Sequence, residues 1–155
     1  MPTYVTDRTK SDIDLIKRLH ATGYSNMTSE EKTLWREGLK GAYNATDLNR
    51  VGNALNYIKG RLNAAGFNIT WTAHEAWSNA DIPTVIQMRD YIGYISDIRN
   101  AIAVYPTTPH APTDMNGLTF VEANNIEKIL RDCDALISLM LHSYYYSGEI
   151  YSVEV

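Results

Sequence analysis

The feature that most constrains this chain is a series of helix-start signals, each followed by an apolar stripe. A Ser or Thr with Glu or Gln three residues later satisfies two otherwise unpaired backbone N–H groups reciprocally. Thr28-Ser29-Glu30-Glu31, Thr84-Val85-Ile86-Gln87 and Thr119-Phe120-Val121-Glu122 have this form, and Thr9-Lys10-Ser11-Asp12 is a shorter-armed version. Thr46 followed by Asp47 adds a cap and a first-turn negative charge that suits the helix dipole. Stops come at Gly23, Gly38, Gly66, Gly148 and Pro106. Together these predict five helices, at about 9–22, 28–37, 46–65, 84–104 and 119–146.

The three long helices carry seams at alternating three- and four-residue steps. The third has Leu48, Val51, Leu55, Ile58, Leu62 and Ala65; the fourth has Val85, Met88, Ile92, Ile95, Arg99 and Ile102. The fifth has Ala123, Ile126, Leu130, Cys133, Ile137, Met140 and Tyr144, with a second stripe through Ile129 and Leu136. Stripes this wide suit an intramolecular bundle better than a two-stranded coiled coil. The fold class is therefore all-α, a bundle of about five helices in one domain spanning 1–155. Arg99 interrupts the fourth seam, and a buried unpaired Arg is costly. Its head is expected to reach an acid such as Glu127 or Asp134, or to leave the bundle edge.

Three short segments read as extended: Thr3-Tyr4-Val5, Phe67-Asn68-Ile69-Thr70-Trp71, and a C-terminal tail over 149–155 with Tyr151, Val153 and Val155 on one face. Isolated strands are unstable, so these segments must pair with each other, stay disordered, or add to a neighbouring subunit. Residues 72–80, with Trp77, have no clear period and read as a loop or short helical turn. Between the last two helices, Pro106, Pro109 and Pro112 recur every third residue, which suits a stiff connector more than a PxxP ligand.

Charge and composition exclude several classes. The net charge is −4, and 14 basic residues are scattered without a run of three, which argues against nucleic acid. No apolar stretch approaches the roughly 18 residues of a membrane span, and the N-terminus does not read as a signal peptide. The single Cys133 forbids an intramolecular disulfide, and its seam position beside Asp132 and Asp134 opposes a nucleophilic role. His20, His74, His110 and His142 lack metal-binding spacing and read as boundary residues. The sequons at Asn26, Asn44 and Asn68 carry no weight without a secretory signal, and two of them contain the helix caps Thr28 and Thr46.

No nucleophile elbow, phosphate loop or dinucleotide fingerprint is present, and Gly38-Leu39-Lys40-Gly41 is a linker rather than a phosphate cradle. The acid pairs Asp12/Asp14 and Glu30/Glu31 belong to helix starts. No cofactor or metal is expected. The aromatic balance is unusual, with 11 Tyr and 3 Trp against 2 Phe. Tyr brings a hydroxyl that wants a partner or water, so the bias points to half-exposed aromatic surface. Tyr144-Tyr145-Tyr146 point about 100° apart on a helix and cannot all enter one core. With Tyr4 at the other end of the chain, and Tyr151, Val153 and Val155 on the tail, they form the candidate interface.

Several phrases resemble small proteins encoded among the tail and structural genes of phages and prophages of Gram-positive bacteria, especially gut Clostridia. They include Lys40-Gly41-Ala42-Tyr43-Asn44, Asp47-Leu48-Asn49-Arg50-Val51, Asp81-Ile82-Pro83-Thr84, Tyr105-Pro106-Thr107-Thr108-Pro109 and Ile126-Glu127-Lys128-Ile129-Leu130. The ending Tyr144-Tyr145-Tyr146-Ser147-Gly148-Glu149-Ile150-Tyr151-Ser152 and the opening Tyr4-Val5-Thr6-Asp7-Arg8-Thr9 also fit. The resemblance implies a non-catalytic virion structural or tail-assembly protein, made in the host cytoplasm and then carried in the virion. Its partners would be other phage structural subunits or further copies of itself, without nucleic acid or membrane. The alternative is a glycan-binding accessory of a tail or cell-surface complex, using Trp71, Trp77 and the terminal tyrosines as stacking platforms. A wall hydrolase and an assembly chaperone are the remaining classes.

Overall fold

A computed structural model describes residues 1–150, with side chains described through Tyr144. It is all-α: α1 (Lys10–Thr22), α2 (Ser29–Glu37), α3 (Ala45–Ala64), α4 (Val85–Ala101) and α5 (Phe120–Ile150). A short 3-10 turn, Tyr24–Asn26, separates α1 from α2. Among the described residues there is no strand.

The capping boxes form as the sequence predicts. Thr9, Thr28 and Thr84 each accept from the backbone three residues on, while Asp12, Glu31 and Gln87 reach back. Thr119 and Glu122 do the same for α5, at 3.2 and 2.8 Å. Hydrogen bonds from Thr9, Thr28 and Thr119 hold the carboxyls of Asp12, Glu31 and Glu122 below the usual carboxylate range. The cap of α3 is Asn44 rather than Thr46. Its Oδ1 accepts from Thr46 N at 2.9 Å, and Asp47 Oδ2 accepts from Asn44 N at 3.1 Å. At the other end of α3, Phe67 N donates to Leu62 O and Gly66 N to Asn63 O, both at 3.1 Å. This Schellman turn needs the positive φ of Gly66, +94°.

Two helix ends depart from the sequence reading. α4 stops at Ala101 rather than 104, because Ile102 turns to an extended conformation that lets Ile102 and Val104 pack against the core. α5 passes the expected stop at Gly148 and reaches Ile150, so Glu149 and Ile150 are helical rather than extended. Glycine weakens a helix by only about 1 kcal/mol and does not terminate one by itself.

α3, α4 and α5 pack on one another around Val51, Leu55, Ile58, Leu62, Ile92, Ile95, Ile98, Ile126, Ile129, Leu130, Cys133 and Ile137. Val85, placed in the fourth seam by its spacing, is 86% exposed. It lies in the first turn, ahead of the level at which α4 meets its neighbours; the buried positions are Tyr91, Ile92, Ile95 and Ile98. Before α3, Leu19, Met27 and Leu39 form a separate small core with Leu15, Ile16 and Ala42.

Residues 67–84 form a strap; the segment over 67–71 has none of the three fates expected for it and is held instead along α3. Its backbone pairs with the side of α3 through asparagine amides. Asn63 exchanges two bonds with Ile69, both 2.9 Å. Asn56 does so with Ala73 at 2.8 and 2.8 Å, and Asn49 with Trp77 at 2.8 and 2.7 Å. The helix partners are seven apart and the strap partners four apart. Seven helical residues rise about 10.5 Å, and four extended residues span up to about 13 Å. A slightly contracted strap therefore stays in register. Gly52 sits between Asn49 and Asn56, where a Cβ would collide with the carbonyl oxygen of His74. The N-terminal arm uses the same device on α5: Asn124 exchanges two bonds with Arg8, at 3.0 and 2.9 Å.

Candidate functional site

Two constellations stand out. The first is a charge cluster where the N-terminal arm, α3 and α5 meet. Arg8, Asp47 and Glu127 are buried. Arg8 Nη2 donates to Asp47 Oδ1 and Glu127 Oε1, both at 2.7 Å. Arg50 meets Glu127 through Nε at 3.0 Å and Nη2 at 2.7 Å, and also pairs with Asp47. Val5 N donates to Glu127 Oε2 at 2.6 Å, and Arg8 Nε donates to Lys40 O at 3.1 Å. Two cations thus face two anions, and Arg8 also donates to the carbonyls of Lys40 and Val5. Burial opposes the charge on both arginines, yet Glu127 and Asp47 hold them above their ordinary value. The charge-balanced cluster staples the arm to the bundle.

The second constellation is a cleft of about 100 Å³ between the strap and α4. Ala73, His74 and Trp77 line it from the strap, and Gln87, Asp90, Tyr91 and Tyr94 from α4. The asparagine pairing and Gly52 set the strap at this height. His74 and Trp77 meet edge to face at 4.5 Å. Trp71 stacks on Tyr94 at 4.4 Å and donates Nε1 to Asp97 at 2.9 Å. The Trp77 indole N–H is buried and has no acceptor. Tyr91 joins the two constellations, since its hydroxyl lies 2.6 Å from that of Tyr43, and Arg8 lies 5.6 Å over the Tyr43 ring.

The other predicted residues fall as follows. Tyr4 is half-buried against the core and donates to Asp134 at 3.3 Å. Tyr144 is 63% exposed near the end of α5. The backbones of Tyr145 and Tyr146 continue α5, while Tyr151, Val153 and Val155 lie outside the described residues. Arg99 reaches neither Glu127 nor Asp134. It donates to the carbonyls of Pro109 at 2.6 Å and Thr108 at 3.3 Å, because Arg8 and Arg50 occupy Glu127 and Arg61 pairs with Asp134. Thr108 in turn donates to Asp132 at 2.7 Å, so the proline loop is tied to both α4 and α5. Burial, then Asp132, pushes the Cys133 thiol up to about 12.

Spacing did not point to Arg8, Asp47 and Arg50 as one cluster with Glu127. The available signal for the strap was the seven-residue recurrence of Asn49, Asn56 and Asn63 around Gly52. Among the described residues, no group of three or more His, Cys, Asp and Glu could hold a metal ion, and no helix is long and apolar enough to cross a membrane. Compared with protein-family models, curated proteins and solved structures, the chain returns no match.

Proposed function

We propose that this protein is a virion structural or tail-assembly component of a phage or prophage of Gram-positive bacteria, acting through protein contacts rather than catalysis. It is made in the host cytoplasm and then incorporated into the particle. The observation that supports this reading is the reach of α5. Among the residues whose side chains are described, its fully buried positions end at Ile137 and Met140 and Leu141 pack partly against the core, while the helix backbone continues to Ile150. Leu139, 58% exposed, and Tyr144 lie on that stretch. Exposed apolar and aromatic side chains towards the end of a helix suit an interface with a neighbouring subunit. Ile82, Val85 and Ile86 add an exposed apolar group at the start of α4.

Mass spectrometry of purified particles tests the assignment directly, and the chain is expected among their proteins. Deleting residues 149–155 should reduce incorporation or self-association while leaving the helical circular dichroism unchanged. Unchanged incorporation together with unchanged solution mass would remove the C-terminal contact from the proposal.

A further inference from the structure

Before α3, the chain switches between two separate sets of contacts at two sharply defined points. Arg8 is bonded to the bundle through Asn124, Asp47 and Glu127, and the next residue, Thr9, opens the capping box of α1. Ala42 packs against the small core of Leu19, Met27 and Leu39. The next residue, Tyr43, packs against the main core and meets Tyr91. Between these points, residues 9–42 keep their contacts to themselves. Among the described residues, none of their apolar groups joins the main core. Their ion pairs and side-chain hydrogen bonds, such as Arg18 to Glu31 and Arg36 to Tyr24, stay inside the segment or end on the arm, where Lys40 meets Asp7 and Arg8. Among the described residues, none of these polar contacts reaches α3, the strap, α4 or residues 120–141 of α5.

The segment also enters and leaves at one neck. Gly41 lies so close to α1 that a Cβ there would sit 2.6 Å from the carbonyl carbon of Asp12. Next to the bundle, apolar Ile16, Trp35 and Ala42 line a cleft of about 330 Å³ together with polar Asn44, Thr46 and Asn79. An unfilled contact between unlike surfaces forfeits most of the dispersion energy that close packing supplies.

We propose that residues 9–42 form a detachable lobe, which unfolds and refolds as one unit at its neck while the bundle of α3, α4 and α5 stays folded. Proteins open in cooperative units that follow supersecondary boundaries, and a unit with few buried apolar contacts opens at a lower free energy than the whole. The lobe is shorter than the roughly 40 residues below which an unstapled chain rarely folds alone, so it opens by unfolding rather than by swinging as a rigid body. Arg8 is the fixed side of the neck. When the lobe opens, its guanidinium loses the Lys40 carbonyl but keeps Asp47, Glu127 and the Val5 carbonyl. The arm therefore stays stapled to the bundle.

Native-state hydrogen exchange on the full chain, followed by nuclear magnetic resonance in water and in sub-denaturing urea, tests this. Ile16 in α1 and Leu34 in α2 report on the lobe, and Leu55 in α3 and Leu130 in α5 on the bundle. After correction for intrinsic rates, the lobe amides should exchange about tenfold faster or more than the bundle amides. They should share one urea slope, smaller than that of the bundle, because less surface is exposed in their opening. Ile95→Val, a conservative change at a buried position of α4, should speed Leu55 and Leu130 about two- to tenfold. It should leave Ile16 and Leu34 unchanged, since the bundle is folded both before and after the lobe opens. The proposal is overturned if all four amides share one rate and one slope, if Ile16 and Leu34 open with different or zero slopes, or if Ile95→Val speeds the lobe as much as the bundle.

Discussion

The hydroxyls of Tyr43 and Tyr91 lie 2.6 Å apart, joining the linker before α3 to the middle of α4. Burial raises the pKa of both well above the ordinary value near 10. A pKa raised in the folded state adds stability that is complete below the unfolded value and is lost as pH rises past it. Denaturant melts from pH 8 to 11.5 should therefore show stability falling above about pH 10. The variant carrying both Tyr43→Phe and Tyr91→Phe should show a shallower fall. Phenolate absorbance should find two fewer late-titrating groups in it.

Two glycines of α3 should respond to alanine with opposite signs. Gly60 has open space where a Cβ would go, so Gly60→Ala should stabilise the protein by about 0.5–1 kcal/mol through helix propensity. Gly52 has the His74 carbonyl in that space, so Gly52→Ala should destabilise by about 1–3 kcal/mol as the strap is pushed away. Urea melts of the two variants decide this, and equal effects would contradict the close approach.

The amides of Ile69, Ala73 and Trp77 should exchange with deuterium slowly, although no strand or helix contains them. Asn56→Ala removes the acceptor for Ala73 N and the donor to Ala73 O. It should speed exchange at Ala73 and cost about 1–3 kcal/mol. Exchange at Ala73 that is already fast in the parent protein would contradict the pairing.

The charge cluster should be far more sensitive than the surface ion pairs. Glu127→Gln leaves two arginines facing only Asp47 and should cost about 3–5 kcal/mol. For a chain of this size that is a fall of roughly 6–20 °C in Tm. Lys10→Ala breaks the exposed pair with Asp14 and should change stability by less than about 0.5 kcal/mol. Thermal melts of both variants give the comparison.

Local features were legible in the sequence, and long-range ones were not. The caps at Thr9, Thr28, Thr84 and Thr119 join residues three apart, so their spacing is written in the chain. The seams of α3 and α5 were readable because their core faces are regular over several turns. The seam of α4 failed at Val85, since periodicity defines a face but not where along the axis a neighbour begins. Arg8 meets Asp47 and Glu127 across 39 and 119 residues, and an arginine in an irregular arm carries no local mark of such partners. Arg99 was recognised as needing a partner, but the two acids named for it were already taken. Trp77 was singled out in the sequence, but the cleft that it lines was not. Its companions on α4 appear only once Asn49 and Asn56 have set the strap in place.

The pairing along α3 also bears on how this chain tolerates change. The asparagines grip only main-chain atoms of Ile69, Ala73 and Trp77, so the clamps do not read the side chains between them. Asn68, Thr70, Thr72, Glu75 and Ala76 could be exchanged without undoing a single clamp on the strap's backbone. Lys59 adds a bond to the Thr72 hydroxyl, and Asn56 one to Glu75, but both sit beside the main-chain clamps. The molecule thus carries a surface ribbon whose path is fixed by the helix beneath it while its outward sequence is open to rewriting.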